Sequence, residues 1–447
     1  MKYLNYIQIK YLIGFLFTIN IFNFAAAQNE ADSADQSWSF HFQQTTVYQW
    51  HYDFDGKPGS DYSLKNKEED AISLTSTIFI GRKLWKGANA VFNPELAGGS
   101  GLSQARGIAG FTNGETFRIG DPRPQVYLAR LFIEQKIALD KKTEFVKGEA
   151  NTVQGHEPTS YVSISAGKFS NADYFDCNQY SHDPRSQFLN WSLMSAGAWD
   201  YAANTRGYTY GFVLQYITPK LSLRYGMSCV PTVANGPELN GDWTRYQAQT
   251  FEVEKPYKLG KSKGIFRVLA YYNNAPMRSY NQAVKDGDLV VSTDPSHQAN
   301  LNNSKYGLTA NIEHSINNDM GLFARLSWND GNNETWAFTE IDHSACLGLS
   351  ISGRKWKRDE DILGIASVVN GISLPHQNYL KAGGNGFMIG DGYLNYAPEM
   401  ITECYYSILL HEDHFWLTPN YQFVANPAYN SDRGPVNIFG LRLHAEF

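Results

Sequence analysis

The sequence predicts an all-β, transmembrane outer-membrane barrel of sixteen antiparallel strands, with long extracellular loops and one of them folded into the lumen. Four observations carry this prediction. Apolar and polar residues alternate with a period of two in sixteen segments, and the connections between them tend to alternate short and long. An apolar leader precedes the segments, and the chain stops on the aromatic Phe447.

At the start, Lys2 and Lys10 precede an apolar stretch, and Ala25, Ala26 and Ala27 supply small residues for cleavage. Residues 1–27 therefore read as a secretory signal peptide. The run is too short, and carries Asn20 and Asn23, for a membrane anchor. Residues 28–37 form a short N-terminal extension, and the barrel occupies 38–447. Its strand segments are 38–50, 71–81, 89–96, 125–137, 161–169, 207–217, 221–229, 247–257, 264–273, 305–315, 320–328, 339–351, 361–369, 399–410, 415–424 and 435–447.

Long connections fill 51–70, 97–124, 170–206, 230–246, 274–304, 329–338, 370–398 and 425–434, with short turns between. Tight periplasmic turns and long outer loops give a bacterial outer-membrane barrel this asymmetry, and they place both termini on the periplasmic side. The connection 138–160 breaks the pattern and is expected to be an elaborated periplasmic turn. A pair of secreted β-sandwiches shows the same alternation, but no Pro/Ser-rich linker or composition shift marks a domain boundary.

Composition bounds the function. Removing Lys2 and Lys10 with the leader takes the formal charge from −6 to −8, which argues against a nucleic-acid partner. Beyond the leader no apolar run approaches the length of a spanning helix. Aromatics make up 14% of the chain while mean hydropathy is −0.40, a combination that suits aromatic girdles facing lipid. Cys177, Cys229, Cys346 and Cys404 are widely spaced, form no CxxC motif and read as unpaired or incidentally paired thiols.

The faces of the strands follow from their alternation. In 320–328, Met320, Leu322, Ala324, Leu326 and Trp328 oppose Gly321, Phe323, Arg325 and Ser327. In 221–229, Leu221, Leu223, Tyr225 and Met227 oppose Arg224, and in 264–273 Phe266, Val268, Ala270 and Tyr272 oppose Arg267. Strand 125–137 sets Tyr127, Ala129, Leu131 and Ile133 against Arg130 and Glu134, and the last strand sets Phe439, Leu441, Leu443, Ala445 and Phe447 against Arg442. An arginine facing lipid at mid-depth costs about 2–4 kcal/mol. In a barrel, Arg130, Glu134, Arg224, Arg267, Arg325 and Arg442 must then face the lumen; in a sandwich they would face water.

Sixteen strands leave an aqueous lumen, whereas about eight would be filled by side chains. Segment 171–206 is too long for a simple turn and is the candidate to narrow that lumen. It interleaves Tyr174, Phe175, Tyr180, Trp191 and Trp199 with Asp173, Asp176, Asp183, Arg185 and Asp200. Aromatic faces stack on sugar C–H faces, and carboxylates and guanidinium groups bind hydroxyls; a loop with its own small hydrophobic core has the same composition.

At this loop the sequence resembles the carbohydrate-selective porins of the OprB type. The resemblance rests on blocks 167–211, 95–115, 327–342, 370–406 and 426–447, and covers nearly the whole mature chain. It implies a sixteen-stranded barrel that admits sugars and is narrowed by inward loops rich in arginines and acids. The matching residues for that narrow zone are Arg106, Arg118, Arg123, Asp173, Asp183, Arg185, Trp191, Trp199 and Arg206. The sequence departs from the family at Cys177, where Asn is expected, and no N-terminal envelope-anchoring domain is expected.

No HExxH, GxSxG or P-loop is present, and neither 53–61 nor 390–393 has an EF-hand pattern, so no catalytic residue, metal or cofactor is predicted. Three function classes follow in order: a passive sugar-selective porin, an anion, phosphate or general porin, and a barrel hydrolase. The expected partners are sugars as transported solutes and outer-membrane lipid. A monomer is expected, with a trimer as the alternative.

Overall fold

A computed structural model describes residues 37–447 apart from 117, 118, 120, 292–300, 412 and 413. The leader expected at 1–27, most of the extension and Arg118 lie outside the described residues. The strands are β1 (Trp38–His51), β2 (Glu69–Trp85), β3 (Ala88–Gly99), β4 (Gln125–Ala138), β5 (Thr143–Val146) and β6 (Gly155–Pro158). They continue with β7 (Tyr161–Phe169), β8 (Thr209–Thr218), β9 (Leu221–Ser228), β10 (Gln247–Leu259), β11 (Ser262–Ala275) and β12 (Asn303–Asn317). The last are β13 (Met320–Asn329), β14 (His343–Gly353), β15 (Arg358–Gly371), β16 (Glu399–His411), β17 (Phe415–Ala425) and β18 (Val436–Glu446).

Sixteen of these close into one antiparallel barrel, β18 pairing with β1 from Gln43↔Glu446 to His51↔Ile438. Each segment read from the sequence falls on a barrel strand. β5 and β6 form a separate hairpin inside the connection 138–160, so β4 pairs with β7. The segment expected from 339 becomes a strand only at His343, because Ile341 and Asp342 are buried in a loop that enters the barrel.

Burial settles which solvent meets which face. On β13, Leu326 is 60% and Trp328 46% exposed, while Arg325 between neighbouring turns of the pleat is 2% exposed. The same inversion, apolar out and polar in, holds on β12, where Tyr306 and Leu308 are exposed and Thr309, Asn311 and Glu313 are buried. A soluble sandwich would bury its apolar stripes; only lipid makes this outer surface stable. No helix among the described residues is long and apolar enough to cross a membrane.

One strand departs from simple alternation. β3 and β4 pair Asn93 with Arg130 but Pro94 with Leu128, so Ala129 is an extra, bulged residue. The bulge reverses parity on its N-terminal side. Tyr127, expected toward lipid, instead faces the lumen with its pairing partner Glu95 and bonds to it. Bare patches on the wall receive the inward loop: a Cβ at Gly226 would lie 3.0 Å from the ring of Phe175, and one at Gly321 would overlap the ring of Tyr180.

Candidate functional site

The loop 171–206 enters the lumen and runs along its wall, held by backbone groups as well as side chains. A backbone that leaves regular structure must still pair its buried N–H and C=O groups. Inward carboxylates accept the N–H groups: Glu252 from Asp176 (2.8 Å), Glu313 from Gln179 (2.8 Å), and Glu403 from both Leu189 and Asn190 (2.8 Å each). Inward arginines donate to the carbonyls. Arg325 reaches Leu193 O (3.0 Å) and also pairs with Asp176 (3.1 Å), and Arg442 reaches Pro184 O (2.7 Å) and Gln187 O (2.6 Å).

Other loops join it. Glu399 accepts the N–H groups of Ala109, Gly110 and Ala428, and Asp200 of the inward loop accepts those of Trp336, Ala337 and Phe338. Together they enclose a hydrophobic core inside the barrel that includes Phe111, Phe175, Trp191, Trp199, Tyr201 and Phe338.

Against the β2–β4 side of the wall the loop presents charges. Arg185 donates to Glu115 (2.7 Å), to Glu95 (2.9 Å) and to Thr77 Oγ1 (3.2 Å). Beside it, Arg130 forks onto Asp173 through two bonds (2.8 and 2.5 Å) and lies 5.3 Å from the centre of the Tyr208 ring. Arg206 lies 4.7 Å over the Tyr127 ring and donates to Gln125. The rings of Tyr127 and Tyr208 are 6.0 Å apart, and both hydroxyls reach Glu95. Arginines, tyrosines and carboxylates thus alternate over one patch where the loop meets the wall.

The electrostatics are close to balance. Burial pushes Glu115 up to about 7, with Glu95 adding to the shift and Arg185 opposing it. Burial also raises Asp183, but the Arg185 charge and backbone N–H, with His444 and His182, together outweigh it and hold the carboxyl below the usual range. At neutral pH the guanidinium of Arg185 therefore faces, in Glu115, a carboxyl near its midpoint.

Of the residues expected in the narrow zone, Asp173, Arg185 and Arg206 come together here with Arg130 of the wall, and Asp183 accepts the Arg185 backbone N–H (2.9 Å). Arg106 lies elsewhere, 4.7 Å over Tyr62, and Arg123 is exposed and paired with Asp121 (2.6 Å). Trp191 and Trp199 are 3% and 0% exposed: Trp191 stacks between Phe111 (5.1 Å) and Phe338 (5.4 Å), and Trp199 packs on Phe175 and Tyr201. Neither offers a free ring face, because neighbouring loops supply Phe111 and Phe338, and the inward loop itself Phe175 and Tyr201, to cover them.

Arg224 and Arg267 share Glu254 and pair with Glu252 and Glu313 respectively, and Glu134 pairs with Lys136 (3.3 Å). All four cysteines are free, and burial pushes the Cys177 thiol up to about 12. The sequence reading did not single out Glu95, Glu115 or Tyr208, and placed Tyr127 toward lipid. Glu95 was within reach, since it lies in a recognised strand two residues from Asn93 on the lumen side.

Comparison with known proteins agrees with this architecture. A family model described as carbohydrate-selective porin, OprB family, matches residues 80–447. The high-pH structure of Pseudomonas putida OprB is 16% identical, with a TM-score of 0.68 over 92% of this chain and 94% of that one. Its low-pH structure gives 12% identity and a TM-score of 0.48 over 92% and 93%. A loop-deletion mutant of Vibrio cholerae OmpT gives 10% and 0.47 over 92% and 100%. No curated protein matches the sequence.

Proposed function

We propose a solute path on the premise that this chain belongs to the carbohydrate-selective porin, OprB family. The protein is a sugar-selective porin of the outer membrane. Mono- and oligosaccharides diffuse passively through its lumen and are selected where Arg185, Glu95, Arg130, Asp173, Tyr127, Tyr208 and Arg206 converge. Both termini and the short turns lie on the periplasmic side, and the working unit is a monomer.

The observation that supports this path is the pairing of charge. Arg185 is shared by two carboxylates and Arg130 is matched by Asp173, so the zone is dense in donors and acceptors yet carries little net charge. A neutral polyol gains hydrogen bonds from such a surface, whereas an anion gains little net attraction. Release demands weak binding, so millimolar affinity, about −4 kcal/mol, is the working scale.

Planar-bilayer recordings test the path. Glucose and maltodextrins are expected to block the ion current of the parent channel, and Asp173→Ala, which removes the most open carboxylate of the zone, should weaken the block while conductance holds or rises. Block by phosphate but not by sugars would favour an anion porin instead.

A further inference from the structure

At the short-turn end, the connection 139–160 does not stay outside the barrel. β5 and β6 form its stem, and the tip, residues 147–154, lies on the inward faces of β1, β2 and β18. Gln154 N donates to Ser39 Oγ (3.0 Å) and Ala150 N to Glu446 Oε1 (3.1 Å). A Cβ at Gly81 would come within 2.5 Å of Val153 Cγ2, so Val153 sits directly on that bare glycine. At the stem, Glu157 pairs with the inward Lys136 (2.9 Å). Phe79 and Val91, inward residues of β2 and β3, are 1% and 4% exposed, and the Phe79 ring lies beside the same bare Gly81.

On β2 the narrow zone touches Thr77 and the tip touches Gly81, four residues along the strand. At about 3.4 Å per residue, and with strands tilted to the axis, the two inward layers are about 10–14 Å apart. Both lie on the same side of the lumen. Across from the tip a cavity of about 1180 Å³ remains open toward the short-turn end, lined by Gln179, Tyr180, Lys258, Lys263 and Asn317 among others.

We infer that residues 139–160 form a second, exit constriction that sets the length of sugar the porin passes. This rests on the sugar path proposed above. A solute leaving the narrow zone meets the strap directly below it and must turn toward the open cavity. A monosaccharide turns freely, but a linear oligosaccharide must bend or shift sideways between the two layers. The strap is docked while solute passes, since the cavity opposite it provides the way out.

Two variants test this. In the first, a Gly-Ser turn replaces 141–159 and joins β4 to β7. In the second, Ser39→Cys and Gln154→Cys tether the strap in a background free of native cysteines. Liposome swelling with glucose and with maltotetraose, and single-channel conductance, are the readouts. The shortened variant should conduct more and lose discrimination against maltotetraose, with glucose block of the current retained. The tethered variant should keep the parent's ratio of glucose to maltotetraose entry. Unchanged conductance and discrimination in the shortened variant would overturn the inference. So would a tethered channel that excludes glucose, since the strap would then have to leave for solute to pass. Absence of glucose block in the parent itself would instead count against the sugar path.

Discussion

Glu403→Ala should loosen the loop that narrows the lumen. Glu403 projects inward from β16, is fully buried, and accepts the consecutive N–H groups of Leu189 and Asn190 at 2.8 Å each. Alanine leaves both N–H groups in a site that water reaches poorly, at about 1–3 kcal/mol for each unsatisfied donor and about 2–6 kcal/mol for the pair. At about 1.4 kcal/mol per tenfold, even the lower end raises the undocked population roughly 30-fold. Asn420, which also donates to Glu403 (2.6 Å), loses its partner too and adds to the cost. Single-channel recordings of Glu403→Ala should show flicker to a higher conductance level and weaker sugar block, and the purified barrel should melt at lower temperature. Glu403→Gln keeps one acceptor oxygen and should fall between the two. Parent-like conductance, noise and block in Glu403→Ala would refute the claim that wall carboxylates hold this loop in the channel.

Glu115 gives the pore a titration near neutrality. Its pKa in the fold, about 7, lies above the ordinary carboxylate value of 4.5, so its contribution to stability is complete below about 4.5 and is lost as pH rises through about 7. Lowering pH from 8 to 6 should shift the reversal potential in a KCl gradient toward anions, and Glu115→Gln should flatten that shift. Trp191→Ala removes a buried ring and should cost about 3–5 kcal/mol in thermal stability, while channels that remain folded keep their sugar affinity. A parent-like melt with lost sugar block would return Trp191 to the solute path. In a cysteine-free background, Asp286→Cys should label in intact cells and Asn317→Cys should not; the reverse pattern would invert the barrel.

The barrel was legible because strands advertise themselves twice, by period and by the cost of charge in lipid. Leu326 and Trp328 against Arg325 are enough to fix a face. The bulge at Ala129 was not legible, since one extra residue leaves no compositional mark, and it alone moved Tyr127 from lipid to lumen. The hairpin within 139–160 was hidden because its stem strands are short and polar, without the apolar alternation of the wall. Trp191 and Trp199 read as exposed ring faces in the sequence because the aromatics that cover Trp191, Phe111 and Phe338, come from loops far away in the chain.

The wall charges need a different reading from the one parity invites. An inward arginine or glutamate looks like a solute contact, yet Arg325, Arg442, Glu399 and Glu403 are taken up by loop backbone. A loop crossing a wet lumen could leave its N–H and C=O groups to water, but it would then have no reason to dock. Charge-assisted bonds are roughly twice as strong as neutral ones, so wall arginines such as Arg325 and Arg442 hold the loop carbonyls against water and fix the loop's path. Position on the inward face therefore marks where loops attach, and residual exposure marks where solute passes. Among the ion pairs between wall and inward loop, Arg325 with Asp176 is buried on both sides, whereas the Asp173 side chain paired to Arg130 keeps 26% of its surface open. A solute hydroxyl can reach Asp173 without breaking the pair, and that is the property a channel for neutral, many-hydroxyl solutes requires.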